Sequence, residues 1–203
     1  MPFIFLCNFV AEPKPPLILK NIAILASGSG TNAQKIMEYF HQSPKGKIVL
    51  LASNKKEAYA LERAKMFDVP TIVFSKADLE NGGLAEKLRH HQVDLLVLAG
   101  FLLQIPPALI QQFPDKIVNI HPALLPNYGG KGMYGMNVHQ AVKQAGDRET
   151  GITIHLVNEN YDEGKIVFQA AVPIADADSP EQIAEKVHDL EHKYYPNVIE
   201  SLI

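Results

Sequence analysis

Short, mainly apolar runs alternate with longer mixed segments along the chain from Asn21 onward. Each run has four or five residues without internal polar alternation, and they lie at 22–26, 48–52, 71–74, 95–99 and 117–120. Continuous runs of this kind are typical of strands buried on both faces of a sheet. The segments between them predict helices at 32–41, 56–67, 84–91 and 106–113. Strict alternation of strand and helix predicts βαβ units and a parallel sheet.

This pattern changes after Pro122. Residues 127–137 contain four glycines and two methionines, which predicts a mobile surface loop. Two further strands, 152–157 and 166–172, flank a turn-rich link that suits a hairpin, and a last helix is predicted at 179–202. The prediction is therefore one α/β domain: a doubly wound, mostly parallel, seven-stranded Rossmann-like sheet with helices on both faces.

Residues 1–20 differ in composition from the rest. The apolar stretch 3–10 has no preceding Lys or Arg and is too short to span a bilayer, and three prolines follow it. We expect a disordered extension at 1–20, with a secretion signal as the weaker alternative, and the folded domain at 21–203.

Composition and charge exclude several function classes. The chain has 203 residues, 47% of them hydrophobic, and a net charge of −3, so it lacks the basic surplus of nucleic-acid-binding proteins. A single cysteine, Cys7, cannot form an internal disulfide. We therefore expect a cytoplasmic protein with small-molecule partners, without nucleic-acid or membrane partners, and a monomer or weak homodimer.

A glycine-rich turn follows the first predicted strand. Gly28 and Gly30 leave room for a ligand against the backbone, and the next N–H groups open a helix that favours an anion. The spacing from Gly28 to Ala33 also fits a dinucleotide fingerprint, but residues 53–56 supply lysines where that fingerprint requires an acid. A monophosphate fits better than NADP, and a tight turn that binds no ligand is a third interpretation.

Asn119 and His121 lie at the end of the fifth strand, where open α/β sheets bind ligands. Residues two apart on a strand share a face, so both side chains can donate hydrogen bonds to a developing oxyanion. An acid beside the imidazole would favour its protonated form, and Asp162 and Glu163 are equal candidates. His155 either joins this group or packs in the core.

Four motifs together resemble the folate-dependent formyltransferase family, and they cover the chain from residue 21 to its C-terminus. They are Ser-Gly-Ser-Gly-Thr-Asn at 27–32, Leu-Ala-Gly-Phe at 98–101, Asn-Ile-His-Pro-Ala-Leu-Leu-Pro at 119–126 and Asp-Glu-Gly at 162–164. The third motif marks the wider family, and the glycine loop narrows the resemblance to its purine-pathway members.

The resemblance implies a role for each matching position. Asn119, protonated His121 and Asp162 would be catalytic. Gly30, Thr31 and Asn32 would bind the phosphate of glycinamide ribonucleotide, and Glu191 its ribose. The folate pocket would be formed by Phe101, Leu102, Leu103, Gln104, Ile105, Asn158, Glu159, Asn160 and Tyr161. Leu103 stands where many members carry arginine. Residues 21–99 would form a phosphate-binding half, and 100–203 a folate-binding and catalytic half.

The implied activity is transfer of the formyl group of 10-formyltetrahydrofolate to the amine of glycinamide ribonucleotide in purine biosynthesis. Neither a metal nor a covalent enzyme intermediate is expected, although residues 188–192 match an inverted zinc-protease motif that lacks a clear third ligand. A tRNA formyltransferase is disfavoured because we expect it to need a further domain and a more basic surface. Three candidates remain open: a 10-formyltetrahydrofolate hydrolase, an NADP-binding oxidoreductase and a non-catalytic phosphosugar-binding module.

Overall fold

Seven strands form one sheet in the order β3-β2-β1-β4-β5-β6-β7 in a computed structural model, which describes residues 19–203. The strands are β1 (Lys20–Leu25), β2 (Gly46–Ser53), β3 (Thr71–Val73), β4 (Leu95–Leu98), β5 (Ile117–His121), β6 (Glu149–Leu156) and β7 (Ile166–Pro173). The first five strands run parallel, whereas β6 and β7 are antiparallel to their neighbours and form the predicted hairpin. The predicted seven-stranded, mostly parallel sheet is confirmed.

Helices cover both faces of this sheet. They are α1 (Thr31–Phe40), α2 (Tyr59–Lys65), α3 (Lys76–Glu80), α4 (Gly83–His90), α5 (Pro107–Gln112), α6 (Met136–Ala145) and α7 (Pro180–Ser201). In β1, Ile22 and Ile24 pack into the layer with α1, α2 and α7, while Ala23 and Leu25 pack into the layer with α3, α4 and α5. Successive strand residues are buried on opposite faces, so the strand reads as a continuous apolar run.

Two helices were not predicted. The five-residue α3 is too short to show a helical period, and it begins with a capping box between Ser75 and Asp78. The helix α6 follows directly on the glycine-rich segment, and Val138 and Val142 on it pack against Ile183 of α7. The glycine-rich segment is therefore a loop that leads directly into a helix.

The predicted N-terminal extension falls at residues 1–20, of which 1–18 lie outside the described part of the chain. Strand β1 begins at Lys20, one residue before the predicted domain boundary. Among the helices of residues 19–203, none is long and apolar enough to cross a membrane.

A buried tyrosine holds α7 against two central strands, at the carboxyl end of β4 and near the start of β5. The hydroxyl of Tyr195 donates to the carbonyls of Leu98 (2.9 Å) in β4 and Val118 (3.1 Å) in β5. Glu191 lies four residues before Tyr195 on the same face of α7, and it lines the cleft at the carboxyl end of β4.

Candidate functional site

A cleft of about 750 Å³ lies at the carboxyl ends of β1, β4 and β5, the edge at which α/β sheets bind ligands. Its walls come from the loops after these strands, from the β6–β7 link, from the segment before α6 and from α7. The cleft therefore brings together parts of the chain from both predicted halves.

The glycine loop forms one end of the cleft. Gly30 precedes α1 with φ at +74°, a left-handed conformation that favours glycine. A Cβ atom there would lie 2.5 Å from Cβ of Ala60, so the close approach of α2 also requires glycine. Thr31 and Asn32 line the cleft in the first turn of α1, where backbone N–H groups have no partner inside the helix.

Glu191 lies beside this loop and is 4% exposed. Its Oε2 accepts hydrogen bonds from Nδ2 of Asn32 (2.9 Å) and from Nδ1 of His188 (2.8 Å). The hydrogen bond to Glu191 raises the pKa of His188. The predicted phosphate and ribose residues are therefore adjacent, although they lie 159 positions apart in sequence.

Two other polar atoms near this end are buried without a hydrogen-bond partner in the described part of the chain. They are Oδ1 of Asn32 and Nδ1 of His139, and both residues line the cleft. His139 is 2% exposed, and burial lowers its pKa. The sequence did not point to His139 because α6 itself was not predicted.

Asn119 and His155 face each other across the antiparallel pair β5 and β6. Nδ2 of Asn119 donates to Nε2 of His155 (3.2 Å), and Nδ1 of His155 donates to the carbonyl of Leu156 (3.1 Å). His155 is thus part of the site and orients the Asn119 amide.

His121 is 4% exposed and lies next to Asp162. Its Nε2 donates to the carbonyl of Tyr128 (2.8 Å), and its Nδ1 lies 3.5 Å from Oδ2 of Asp162. Burial lowers the pKa of His121, and the charge of Asp162 and the Tyr128 carbonyl offset this only in part. The folded chain therefore favours neutral His121 at pH 7, in contrast to the expected protonated form.

Asp162 rather than Glu163 faces the cleft. Its Oδ2 accepts from the backbone N–H of Gly130 (2.9 Å), and its Oδ1 lies 3.6 Å from Nε2 of His155. Burial alone would raise the pKa of Asp162, but the two neighbouring histidines and the Gly130 N–H together hold it below its usual value. The carboxyl is therefore ionised at neutral pH. Glu163 instead accepts a hydrogen bond from the exposed side chain of Asn160.

The other end of the cleft has a mainly apolar wall. Of the nine predicted folate-pocket positions, eight line the cleft: Phe101, Leu102, Leu103, Gln104, Ile105, Asn158, Asn160 and Tyr161. Glu159 is the exception, because its side chain is exposed outside the cleft and its carbonyl accepts a hydrogen bond from Nε2 of Gln104 (2.9 Å). Leu103 packs partly against the core, so the position at which the resemblance implies arginine is apolar here.

The segment predicted as a mobile loop forms a wall of the cleft. Residues 130–136 line it, and Met133 packs beside the core of α6 and α7. Glycine content identified the irregular backbone but not its position, because that depends on contacts with distant residues such as Asp162.

The zinc-protease motif does not form a metal site within residues 19–203, where no group of three or more candidate ligands is close enough together. His188 and His192 stack with ring centroids 6.1 Å apart, and the acid between them, Glu191, bonds to His188 and Asn32.

Residues 20–199 match the family model described as formyl transferase. The chain is 42% identical over 187 residues to a phosphoribosylglycinamide formyltransferase of Haemophilus influenzae, covering 89% of this chain and 86% of that protein. The chain belongs to this formyltransferase family. Solved structures agree: glycinamide ribonucleotide transformylase 1 from Geobacillus kaustophilus is 36% identical, with a TM-score of 0.83, and the match covers 91% of this chain and 99% of that one.

Plant members of the family are also similar. The chain is 46% identical over 187 residues to the chloroplastic phosphoribosylglycinamide formyltransferase of Arabidopsis thaliana, covering 89% of this chain. It spans 64% of that plant protein and 61% of the corresponding protein of Vigna unguiculata. The predicted family and its fold are thus confirmed.

Proposed function

We propose that this chain transfers the formyl group of 10-formyltetrahydrofolate to the amine of glycinamide ribonucleotide, a step of purine biosynthesis. One observation carries the proposal: three features line a single cleft. They are the N-terminus of α1, whose free N–H groups suit a phosphate, the polar trio of Asn119, His121 and Asp162, and an apolar wall. The family relatives named as phosphoribosylglycinamide formyltransferases support the same substrates.

The two substrates would enter from opposite ends of the cleft. The phosphate would bind the N–H groups that follow Gly30, and the ribose hydroxyls would reach the buried carboxylate of Glu191. The folate ring system would lie against residues 101–105, where the apolar side chains of Phe101, Leu102, Leu103 and Ile105 suit its flat surface. The amine and the formyl carbon would then meet near Asn119, which holds them in reacting geometry.

Asn119 would stabilise the charge that develops on the formyl oxygen. As the amine attacks the formyl carbon, that oxygen becomes an oxyanion that the Asn119 amide can bind as a donor. The hydrogen bond between Asn119 and His155 fixes the amide before the reaction begins, so little reorganisation is needed.

His121 and Asp162 would move the proton. The amine loses a proton on attack, neutral His121 takes it at Nδ1, and Asp162 stabilises the resulting imidazolium from 3.5 Å. The imidazolium also favours the oxyanion while it exists. When the C–N bond to folate breaks, the proton passes to N10 of the departing tetrahydrofolate, so His121 returns to its neutral form.

Turnover of 10-formyl-5,8-dideazafolate, followed by absorbance, tests this proposal. We expect deformylation only when glycinamide ribonucleotide is present. Deformylation at the same rate without the ribonucleotide would replace the proposal with a hydrolase. No deformylation by a chain shown to be folded would leave a phosphosugar-binding protein, and saturable NADP binding would favour an oxidoreductase.

Other features stay predictions. We assign residues 21–99 to phosphate binding and residues 100–203 to folate binding and catalysis. Glu191 is the exception, because it lies in the second segment but would bind the ribonucleotide. The monomeric or weakly dimeric state, the absence of a metal and the cytoplasmic location are likewise predictions, and the Arabidopsis and Vigna relatives are named as chloroplastic.

A further inference from the structure

Three hydrogen bonds converge on Ser27, a residue 3% exposed that follows β1. Its hydroxyl donates to Oδ1 of Asn54 (2.7 Å) and accepts from the backbone N–H of Leu102 (3.1 Å). Its own backbone N–H donates to the carbonyl of Gly100 (3.0 Å). Ser27 therefore joins the start of the glycine loop to the loops that follow β2 and β4.

The wall at residues 100–105 depends on such anchors. Residues 99–106 form neither helix nor strand, so no regular hydrogen-bond ladder sets their position. Ser27 holds this segment near its start, and the bond from Gln104 to the carbonyl of Glu159 holds it further along. The side chain of Leu102, 45% exposed, is presented to the cleft directly beside the Ser27 anchor.

Asn54 acts on this wall through Ser27. It follows β2 at the place where a dinucleotide-binding protein has an acid for the ribose, but its side chain bonds to Ser27 and does not line the cleft. By accepting the Ser27 proton, Asn54 turns a lone pair of the hydroxyl toward the Leu102 N–H.

We propose that Ser27 and Asn54 are positioning residues that set the formyl-donor wall at the correct distance from the phosphate loop. The inference rests on the proposed function. Formyl transfer requires the amine and the formyl carbon to meet within contact distance, so the two subsites must be held in register. The Ser27 hydroxyl is buried, is bonded on both sides and does not itself line the cleft, so it would perform this task through the backbone of the wall.

The variant Ser27→Ala tests the proposal. It leaves the Leu102 N–H without its partner, so we expect the KM for 10-formyl-5,8-dideazafolate to rise about five- to tenfold. The KM for glycinamide ribonucleotide should change less than about twofold, because α1 keeps its own hydrogen bonds. Direct titration of wild type and variant with the same dideazafolate should show the same loss of affinity.

Variants of Asn54 test the relay. Asn54→Leu should raise the donor KM in the same direction by a smaller factor, whereas Asn54→Asp, which keeps the acceptor, should stay near wild type. The double variant Ser27→Ala/Asn54→Leu should be no worse than Ser27→Ala alone. The matched control is Ser53→Ala, which removes a buried hydroxyl at the end of β2 that bonds to Lys55 and not to the wall.

Several outcomes would overturn the proposal. An unchanged donor KM in Ser27→Ala with a lower Tm would make the hydroxyl purely structural, and equal rises in both KM values would indicate general loosening. If Ser27→Ala does not fold, Asn54→Leu takes its place as the test. An unchanged donor KM in Asn54→Leu would then overturn the proposal. Failure of the wild-type chain to deformylate the donor would reject the proposed function instead.

Discussion

Nδ1 of His121 lies 3.5 Å from Oδ2 of Asp162, and the two side chains are only 4% and 11% exposed. The histidine ends β5, whereas the aspartate belongs to the link between β6 and β7. Each ring nitrogen of His121 therefore has a different neighbour, since Nε2 is already bonded to the Tyr128 carbonyl. Nδ1 is the atom at which this histidine can gain and lose a proton during the reaction.

Asp162→Asn should reduce kcat about a hundredfold or more. The amide can still accept the Gly130 N–H, so the backbone is expected to keep its position, but the charge that stabilises the imidazolium is lost. Steady-state turnover and circular dichroism on the same preparation check both parts. The neighbouring Glu163→Gln is the matched control and should retain turnover. Near-normal kcat in Asp162→Asn would remove the aspartate from the mechanism.

The acid limb of kcat/KM should report His121. Burial lowers the pKa of His121, so this histidine stays neutral at pH values somewhat below the usual histidine pKa of about 6.5. Activity should therefore fall only as the pH drops through this lowered pKa. In Asp162→Asn the midpoint should move to still lower pH, because the carboxylate is what opposes the effect of burial. Ionisation of the substrate amine is common to both enzymes and cancels in the comparison. A midpoint that rises in the variant would contradict the assignment.

The sheet could be predicted because strands that are buried on both faces appear in the sequence as continuous apolar runs. Ile22 and Ala23 are both fully buried although they point into opposite layers, and such positions repeat in each central strand. The helix α6 left a weaker trace, since its ten residues follow a glycine-rich segment whose composition dominates the local pattern. Hydrophobic periodicity thus predicts strands in this chain better than short helices.

Some relationships in the candidate site could be predicted from the sequence and others could not, for physical reasons. Asn119 and His121 share one strand, so their common face follows from local geometry. The contact between Asn32 and Glu191 depends on how α7 docks through Tyr195, which no local pattern encodes. The direction in which a loop side chain points is equally non-local, which is why the sequence could not show that the Glu159 side chain lies outside the cleft.

Asn119→Ala should lower kcat about 10²- to 10³-fold, with little change in either KM. The amide donates to charge that exists in the transition state, so its loss affects the chemical step more than binding. The same turnover assay gives both constants, and thermal unfolding shows whether the fold is retained. Asn197→Ala, which removes an exposed amide on α7, should have no effect. A raised KM with an unchanged kcat would assign Asn119 to substrate binding.

Glu191→Gln should weaken binding of glycinamide ribonucleotide about tenfold or more. The substitution keeps the shape of the side chain but removes a buried charge that accepts two hydrogen bonds. Affinity for the dideazafolate should stay within about twofold, because the apolar wall lies at the other end of the cleft. Calorimetric titration with each ligand measures the two affinities separately. The exposed Glu185→Gln on the same helix is the control. Equal losses for both ligands would argue for a structural role.

The two glycines of the phosphate loop should respond differently to alanine. Gly30→Ala forces a side chain into a left-handed conformation and places its Cβ 2.5 Å from that of Ala60. We expect a loss of about 2–4 kcal/mol of stability, which lowers Tm by about 5–15 °C. Gly28 has no atom within 4 Å of the point that a Cβ would occupy and no positive φ, so Gly28→Ala should leave Tm unchanged or slightly raised.

Thermal unfolding of both variants under identical conditions measures this difference. A ribonucleotide titration then separates fold from function, since Gly30→Ala displaces the start of α1, where the N–H groups are expected to bind the phosphate. Binding should therefore be lost at temperatures well below the Tm of the variant. If Gly28→Ala destabilised the chain as much as Gly30→Ala, the conformation of the loop would differ from the one described, and the phosphate assignment would lose its structural basis.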